Sequence, residues 1–176
     1  MREVAELAAR IAELERRFSG IMRHGTVEEI DTARHRVRLN FGDDIGGRPF
    51  LSPWVPYAQI AGTLKVHTPP SKGQQFTALS PNGDWQQAVA LPMTWSNQNA
   101  SPSTAGNEHV LTFGGVRLTI RDHLLEAEVG GVTLKVTPDG VAITGGKVTH
   151  EAKNIGATHI HGGVTPGGGL TDVPAN

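Results

Sequence analysis

Residues 1–19 carry Val4, Leu7, Ile11, Leu14 and Phe18 at spacings of 3, 4, 3 and 4. That is the a/d pattern of a coiled coil, and it predicts a helix. With Val4 and Ile11 at a, Arg10 falls at g and Glu15 at the following e, where parallel helices pair their charges. Gly20 follows as a plausible stop. So short a helix is marginal alone. It is a candidate for a trimeric coiled coil, the alternative being an amphipathic helix packed on its own domain.

From residue 20 the period changes to two. Residues 25–31 and 34–41 predict a hairpin around Asp31-Thr32-Ala33, with Val37, Leu39 and Phe41 on one face and Arg36, Arg38 and Asn40 on the other. Residues 50–60 hold a strand that Pro53 and Pro56 confine to an edge or bend. Pro69-Pro70-Ser71-Lys72-Gly73 turns into a strand over 74–80. Pro81-Asn82-Gly83-Asp84 predicts a hairpin turn with the return strand over 85–92. Several short antiparallel strands over 20–97 suit an OB-fold-like barrel. The cationic positions His35, Arg36 and Arg38 have no aromatics alternating beside them, so they predict a solvated face rather than a stacking groove. His24 and His67 read as ordinary surface or turn residues.

Residues 98–109 form a polar linker. Beyond it, over 110–163, glycine pairs fall at 114–115, 130–131, 145–146 and 162–163, the second glycines spaced 16, 15 and 17 apart. Alternating runs follow: Val116, Leu118, Ile120; Val132, Leu134, Val136; Val141, Ile143; Val148. A short period carried by strands alone predicts a β-helix or solenoid, the alternative being a flat meander. One chain of so few repeats buries little and needs neighbours to cover it, which further copies of the same chain would supply. The fold class expected is mainly β.

Composition narrows the function. The 176 residues carry a formal net charge of −1, which disfavours a sequence-independent nucleic-acid binder. There is no cysteine, hence no disulfide framework or thiolate metal site. No apolar run approaches the ~20 residues of a membrane span, and no secretion signal is evident. The expectation is a protein made and kept soluble in the cytoplasm, at least initially. Twenty-two glycines beside five Phe, three Trp and one Tyr imply a thin core per chain.

The candidate chemistry lies in Thr158-His159-Ile160-His161-Gly162-Gly163. In an extended strand His159 and His161 point the same way. Residues 164–176, a Gly-rich tail, offer no His, Cys or Glu and a single Asp. On a threefold axis three His-x-His pairs would give six nitrogens, which favours iron, nickel or cobalt over four-coordinate zinc. The alternative is a plain polar strand end. His150 reads as a surface residue. His-x-His also opens cupin-type metal sites, but the Glu and His that such an enzyme needs downstream are missing.

In order along the chain, Pro69-Pro70-Ser71-Lys72-Gly73-Gln74-Gln75, Ser80-Pro81-Asn82-Gly83-Asp84, the glycine-punctuated strands and His159-Ile160-His161-Gly162-Gly163-Val164 with its Pro166-Gly167-Gly168-Gly169 tail resemble the baseplate assembly protein V family of contractile-tailed phages. The resemblance covers nearly the whole chain. It implies a homotrimeric tail spike with an OB-type barrel and an intertwined triple-stranded β-helix. One iron ion per trimer, as Fe2+, would be held at the apex by His159 and His161 of each of three chains. It further implies no enzymatic activity and no small-molecule substrate. The partners implied are a baseplate hub protein and, transiently, the host outer membrane. The place implied is the virion tail baseplate tip, after assembly in the host cytoplasm. The family also resembles the needle of type VI secretion systems, so a phage-derived injection device is the neighbouring expectation. Some larger spikes carry a lysozyme insert between barrel and helix; the short linker here leaves no room for one.

Overall fold

The computed structural model describes residues 1–159, which fall into two compact units divided between Ser101 and Pro102. His161, the end of the 110–163 segment and the 164–176 tail lie outside the described residues.

The first unit opens with helix α1 (Arg2–Ile21). The helix does not stop at Gly20. It runs on to Ile21 and passes directly into extended backbone at Met22, φ −137°. Gly20 serves close approach instead: a Cβ there would sit 3.4 Å from the Cα of Gly83. Gly83 is at φ +72°, and a Cβ on it would lie 2.9 Å from the Arg17 carbonyl oxygen. Two glycines therefore let the helix end press onto the turn at Pro81–Gly83.

The strands are β1 (Met22–Asp31), β2 (Arg36–Asp43), β3 (Pro49–Leu51), β4 (Val55–Pro56), β5 (Gln75–Leu79) and β6 (Val89–Pro92). They form one antiparallel sheet in the order β3-β2-β1-β5-β6, with β4 also on β2. A bridge from Tyr57 to Ala90, with the Ala58 amide donating to the Ala90 carbonyl at 2.8 Å, brings the far edges together. The sheet thus closes into a small barrel, as the alternating pattern predicts. β1 serves both neighbours, β5 with its first half and β2 with its second, and a register shift between Val27 and Glu29 lets it bend between them. Val27, Val37, Leu39, Val55, Tyr57, Phe76, Ala78, Ala88 and Ala90 fill the interior. Ser52 is buried with them and fully engaged. Its Oγ accepts from the Leu39 amide at 2.9 Å and donates to the Pro53 carbonyl at 2.7 Å.

The predicted hairpin at 81–84 is replaced by two 3-10 turns, Pro81–Gly83 and Trp85–Gln87, so β6 begins only at Val89. Asn82, at φ 53°, lies in the first of them. The Asp84 carboxylate holds the second turn, accepting from the Gln86 amide at 3.0 Å and the Gln87 side-chain amide at 2.9 Å.

The second unit is a five-stranded antiparallel meander, β7 (Glu108–Phe113), β8 (Val116–Arg121), β9 (Leu124–Val129), β10 (Val132–Thr137) and β11 (Gly140–Thr144), in sequential order. A two-stranded hairpin follows, β12 (Thr149–His150) and β13 (Lys153–Asn154). Within one chain, then, the glycine period marks hairpins of a meander rather than stacked coils of a solenoid. Glycine pairs make alternate turns, at 114–115 and 130–131, and Asp122-His123 and Pro138-Asp139 make the others. Strands β7 and β9 complete the pattern that the valine and leucine runs suggest only for β8, β10 and β11.

Candidate functional site: an uncovered apolar face and a terminal imidazole

Directly paired residues in an antiparallel sheet project to the same side. Phe113 pairs with Val116, which pairs with Val129, which pairs with Val132. Leu111, Leu118, Ala127, Leu134 and Ile143 make the next row across all five strands, and Ile120, Leu125, Val136 and Val141 a third. The rows are apolar except at the β7 end of the third, where His109 pairs with Ile120. The other side carries Thr112, Arg117, Glu128 and Thr133 in one row and Thr119, Glu126, Lys135 and Ala142 in another. On that polar side Arg117 donates to the Pro102 carbonyl at 3.2 Å, and Ser103 donates to Glu108 at 2.6 Å. The apolar side is left to solvent: Phe113 is 88% exposed, Leu111 66%, Val141 66% and Val129 54%. Contiguous exposed apolar rows of this kind mark a candidate contact surface.

At the end of the described chain, Asn154 organises a turn. Its Oδ1 accepts from the Gly156 amide at 3.0 Å and its Nδ2 donates to Thr158 Oγ1 at 2.9 Å. The Ile155 amide donates to the Val148 carbonyl at 2.8 Å, tying this turn to the start of the last hairpin. His159 follows the turn rather than lying in a strand. Its backbone amide donates to the Gly156 carbonyl at 3.0 Å, and its ring Nδ1 lies 2.6 Å from the same oxygen. A carbonyl only accepts, so Nδ1 carries a proton here, and in the neutral tautomer with that proton the lone pair lies on Nε2. This is the arrangement of a metal-ligating histidine, whose second nitrogen is oriented by a backbone carbonyl. Of the two histidines expected to hold the metal, His159 lies at this turn and His161 lies outside the described residues. His150 stands exposed on β12 opposite Lys153.

The barrel holds contacts that spacing alone hides. His35 and His67 meet edge to face, ring centroids 6.4 Å apart, and His35 Nδ1 lies 3.3 Å from the Tyr57 hydroxyl. His24 pairs with Thr77 Oγ1 at 2.8 Å. The expectation of a cationic face without aromatics is corrected at Arg38, whose guanidinium lies over the Trp54 ring at 6.0 Å. That group is spent internally, on the Ser52 carbonyl at 3.0 Å and Glu29 at 3.3 Å. Arg23 similarly sits between Phe41 and Phe50, 5.6 and 5.5 Å from their centroids. Asp31 is held below the usual carboxylate range, first by the Arg34 backbone amide and then by its side chain. Asp31 and Arg34 meet within the predicted hairpin turn, whereas no signal in the sequence brings the other partners together, because they lie far apart along the chain and meet only in the closed barrel.

Comparison with known proteins converges on one family. Residues 23–95, the barrel, match the type VI secretion system/phage-baseplate injector OB domain. Residues 157–175, which include His159 and His161, match the GpV apex motif. The spike protein of Escherichia phage P2 is 27% identical over 135 residues, covering 75% of this chain and 61% of that protein. The chain thus spans about three fifths of the length of that relative. An injector OB-domain match at one end and a gpV apex match at the other, with the phage spike as a relative, support the baseplate assembly protein V, or gpV-like, spike family for this chain.

Proposed function

We propose that the chain is the central spike of a contractile phage tail baseplate, a homotrimer that punctures the host outer membrane during injection. The observation that carries this is the apolar face of β7–β11. Its large side chains would each contribute roughly 1.5–3 kcal/mol if buried, and three copies of the same face can cover one another around an axis. Strands shared between copies also leave no sheet edge open. In this reading residues 110–163 of three chains wind into a triple-stranded β-helix, and the Gly-rich 164–176 tail closes the point.

His159 and His161 of each chain would hold one iron ion at the apex. The Nδ1–H contact to Gly156 supports His159 as a neutral ligand through Nε2. The ion would supply a crosslink among three chain ends, which are otherwise the first parts of a fold to fray. The role is mechanical rather than enzymatic, and no small-molecule substrate or nucleic acid is involved. The barrel would dock on the baseplate hub protein, at the tip of the virion tail, after assembly in the host cytoplasm. The description of the injector OB domain names type VI secretion beside phage baseplates, so the spike of a phage-derived or type VI-like device is the second reading.

Light scattering combined with elemental analysis tests the proposal: three chains and one iron atom per particle are expected. A monomer at micromolar concentration would overturn it. His159→Ala with His161→Ala should remove the metal and leave the trimer standing. A catalytic turnover lost with those histidines would instead indicate a cupin-type enzyme.

A further inference from the structure

Helix α1 buries none of its residues. Val4, Leu7, Ile11, Leu14, Phe18 and Ile21 form one stripe, from 38% exposed at Ile21 to 78% at Phe18. An amphipathic helix of a self-contained domain lays such a stripe on its own core. This one touches the barrel through Gly20 and Arg17 against the 81–83 turn, and leaves the stripe clear. The 3-4 spacing continues through Ile21, giving three a/d pairs, the last of them Phe18 and Ile21.

The charges sort in the same sense. Glu13, at an outward c position, is held within the helix by Arg16 and Arg17, at 2.8 and 2.6 Å. Arg17 is the last g residue, and the e position it would face falls beyond the helix end. Arg10 at g and Glu15 at e flank the stripe and take part in none of the ion pairs among the described residues. In a parallel, in-register coil, g of one helix faces the following e of its neighbour, so Arg10 would meet Glu15 of the next copy.

We infer that α1 is a docking surface for the same helix of other copies of this chain, in a parallel, in-register coiled coil. Val and Ile at a over Leu at d suit a two-stranded coil as well. The count of three therefore rests on the spike reading and not on the helix. So few layers with one g–e pair are weak alone, so the helices would hold together because the rest of the assembly keeps their concentration high. The coil would then set the three chains in register at their N-terminal ends.

The chain has no cysteine, so Leu14→Cys in the full chain introduces one thiol on the seam. Ala9→Cys, at the outward f position, is the control. Under mild oxidation the L14C protein should form covalent dimers at least tenfold faster than A9C. Leu7→Glu with Leu14→Glu should lose the helical circular-dichroism signal of α1 while the particle mass stays at three chains. A three-chain particle in which L14C couples no faster than A9C overturns the inference and leaves the spike reading intact. A two-chain particle with fast L14C coupling upholds the helix pairing and overturns the trimer. A monomer in which neither couples overturns both.

Discussion

Val27, Val37, Leu39 and Val55 in the barrel are closed off from solvent, whereas Leu111, Phe113 and Val141 in the meander stand 66, 88 and 66% exposed. Both regions are built from short antiparallel strands with the same alternation. The difference is closure. In the barrel the Tyr57–Ala90 bridge rolls the sheet so that its apolar face meets itself. The meander ends at β7 and β11 with its apolar face open. One unit closes its core within a single chain; the other leaves an apolar face open among the described residues, the face that the proposed function gives to further copies. Such contrast within one chain shows how to separate folding from assembly by experiment.

The largest effect is expected from Leu134→Asp, in the middle row of the open face. An unpaired carboxylate in a covered apolar contact costs on the order of 3–5 kcal/mol. Light scattering should show the assembly lost while the barrel stays folded, and an unchanged particle would remove the open face as the contact surface. Leu39→Ala comes next, at about 2–5 kcal/mol from a cavity in a closed core. Its loss of Tm should be the same at any protein concentration, whereas Leu111→Ala should give a loss that shrinks as concentration rises. If both respond alike to dilution, the contrast between the units fails. Gly25→Ala should cost about 1–3 kcal/mol by overpacking, because a Cβ there would lie 2.5 Å from the Asn40 carbonyl oxygen across β1 and β2. Denaturant midpoints of the barrel would register it.

The smallest effect is a pH dependence confined to the barrel's turns. Asp84 is lowered from its ordinary value, first by the Gln86 backbone amide and then by the Gln87 side chain. A depressed carboxyl contributes stability that is present above its unfolded pKa and is lost as pH falls through the lower folded value. Thermal unfolding of Asp84→Asn should therefore show a shallower slope below about pH 4 than the native chain, with Asp31 still contributing its share. An identical slope in both would exclude the cap as its source.

Much of this contrast is written in the order of the residues themselves. The 2-residue alternation from Val37 to Phe41 marks a barrel strand, and the 3-4 spacing from Val4 to Phe18 marks the helix. The open face is also readable, since the glycine period keeps Val116, Val132 and Leu134 in phase. Three features are not legible there. The turn at 81–87 hides because Asn82 and Gly83 take the positive φ values that the hairpin motif itself calls for, and the departure comes only afterwards, where Asp84 caps a second turn. Gly20 resembles a stop, since its contact with Gly83 is long-range and leaves no local mark. β9 escapes because Glu126 and Ala127 dilute its apolar run, and only pairing with β8 and β10 reveals its face. At His159 the sequence shows the imidazole, while the role of Gly156 as its hydrogen-bond acceptor depends on a turn set by Asn154.

The sixteen-residue interval between the glycine turns at 114–115 and 130–131 has an implication for the evolution of length. Sixteen is even, so copying residues 116–131 once more would insert two strands without moving any downstream side chain to the opposite side. The sheet would grow by about 10 Å, two interstrand spacings, with both flanking hairpins left intact. Reach can thus be adjusted in whole modules by gene duplication, while a gain or loss of one residue would turn every following strand inside out.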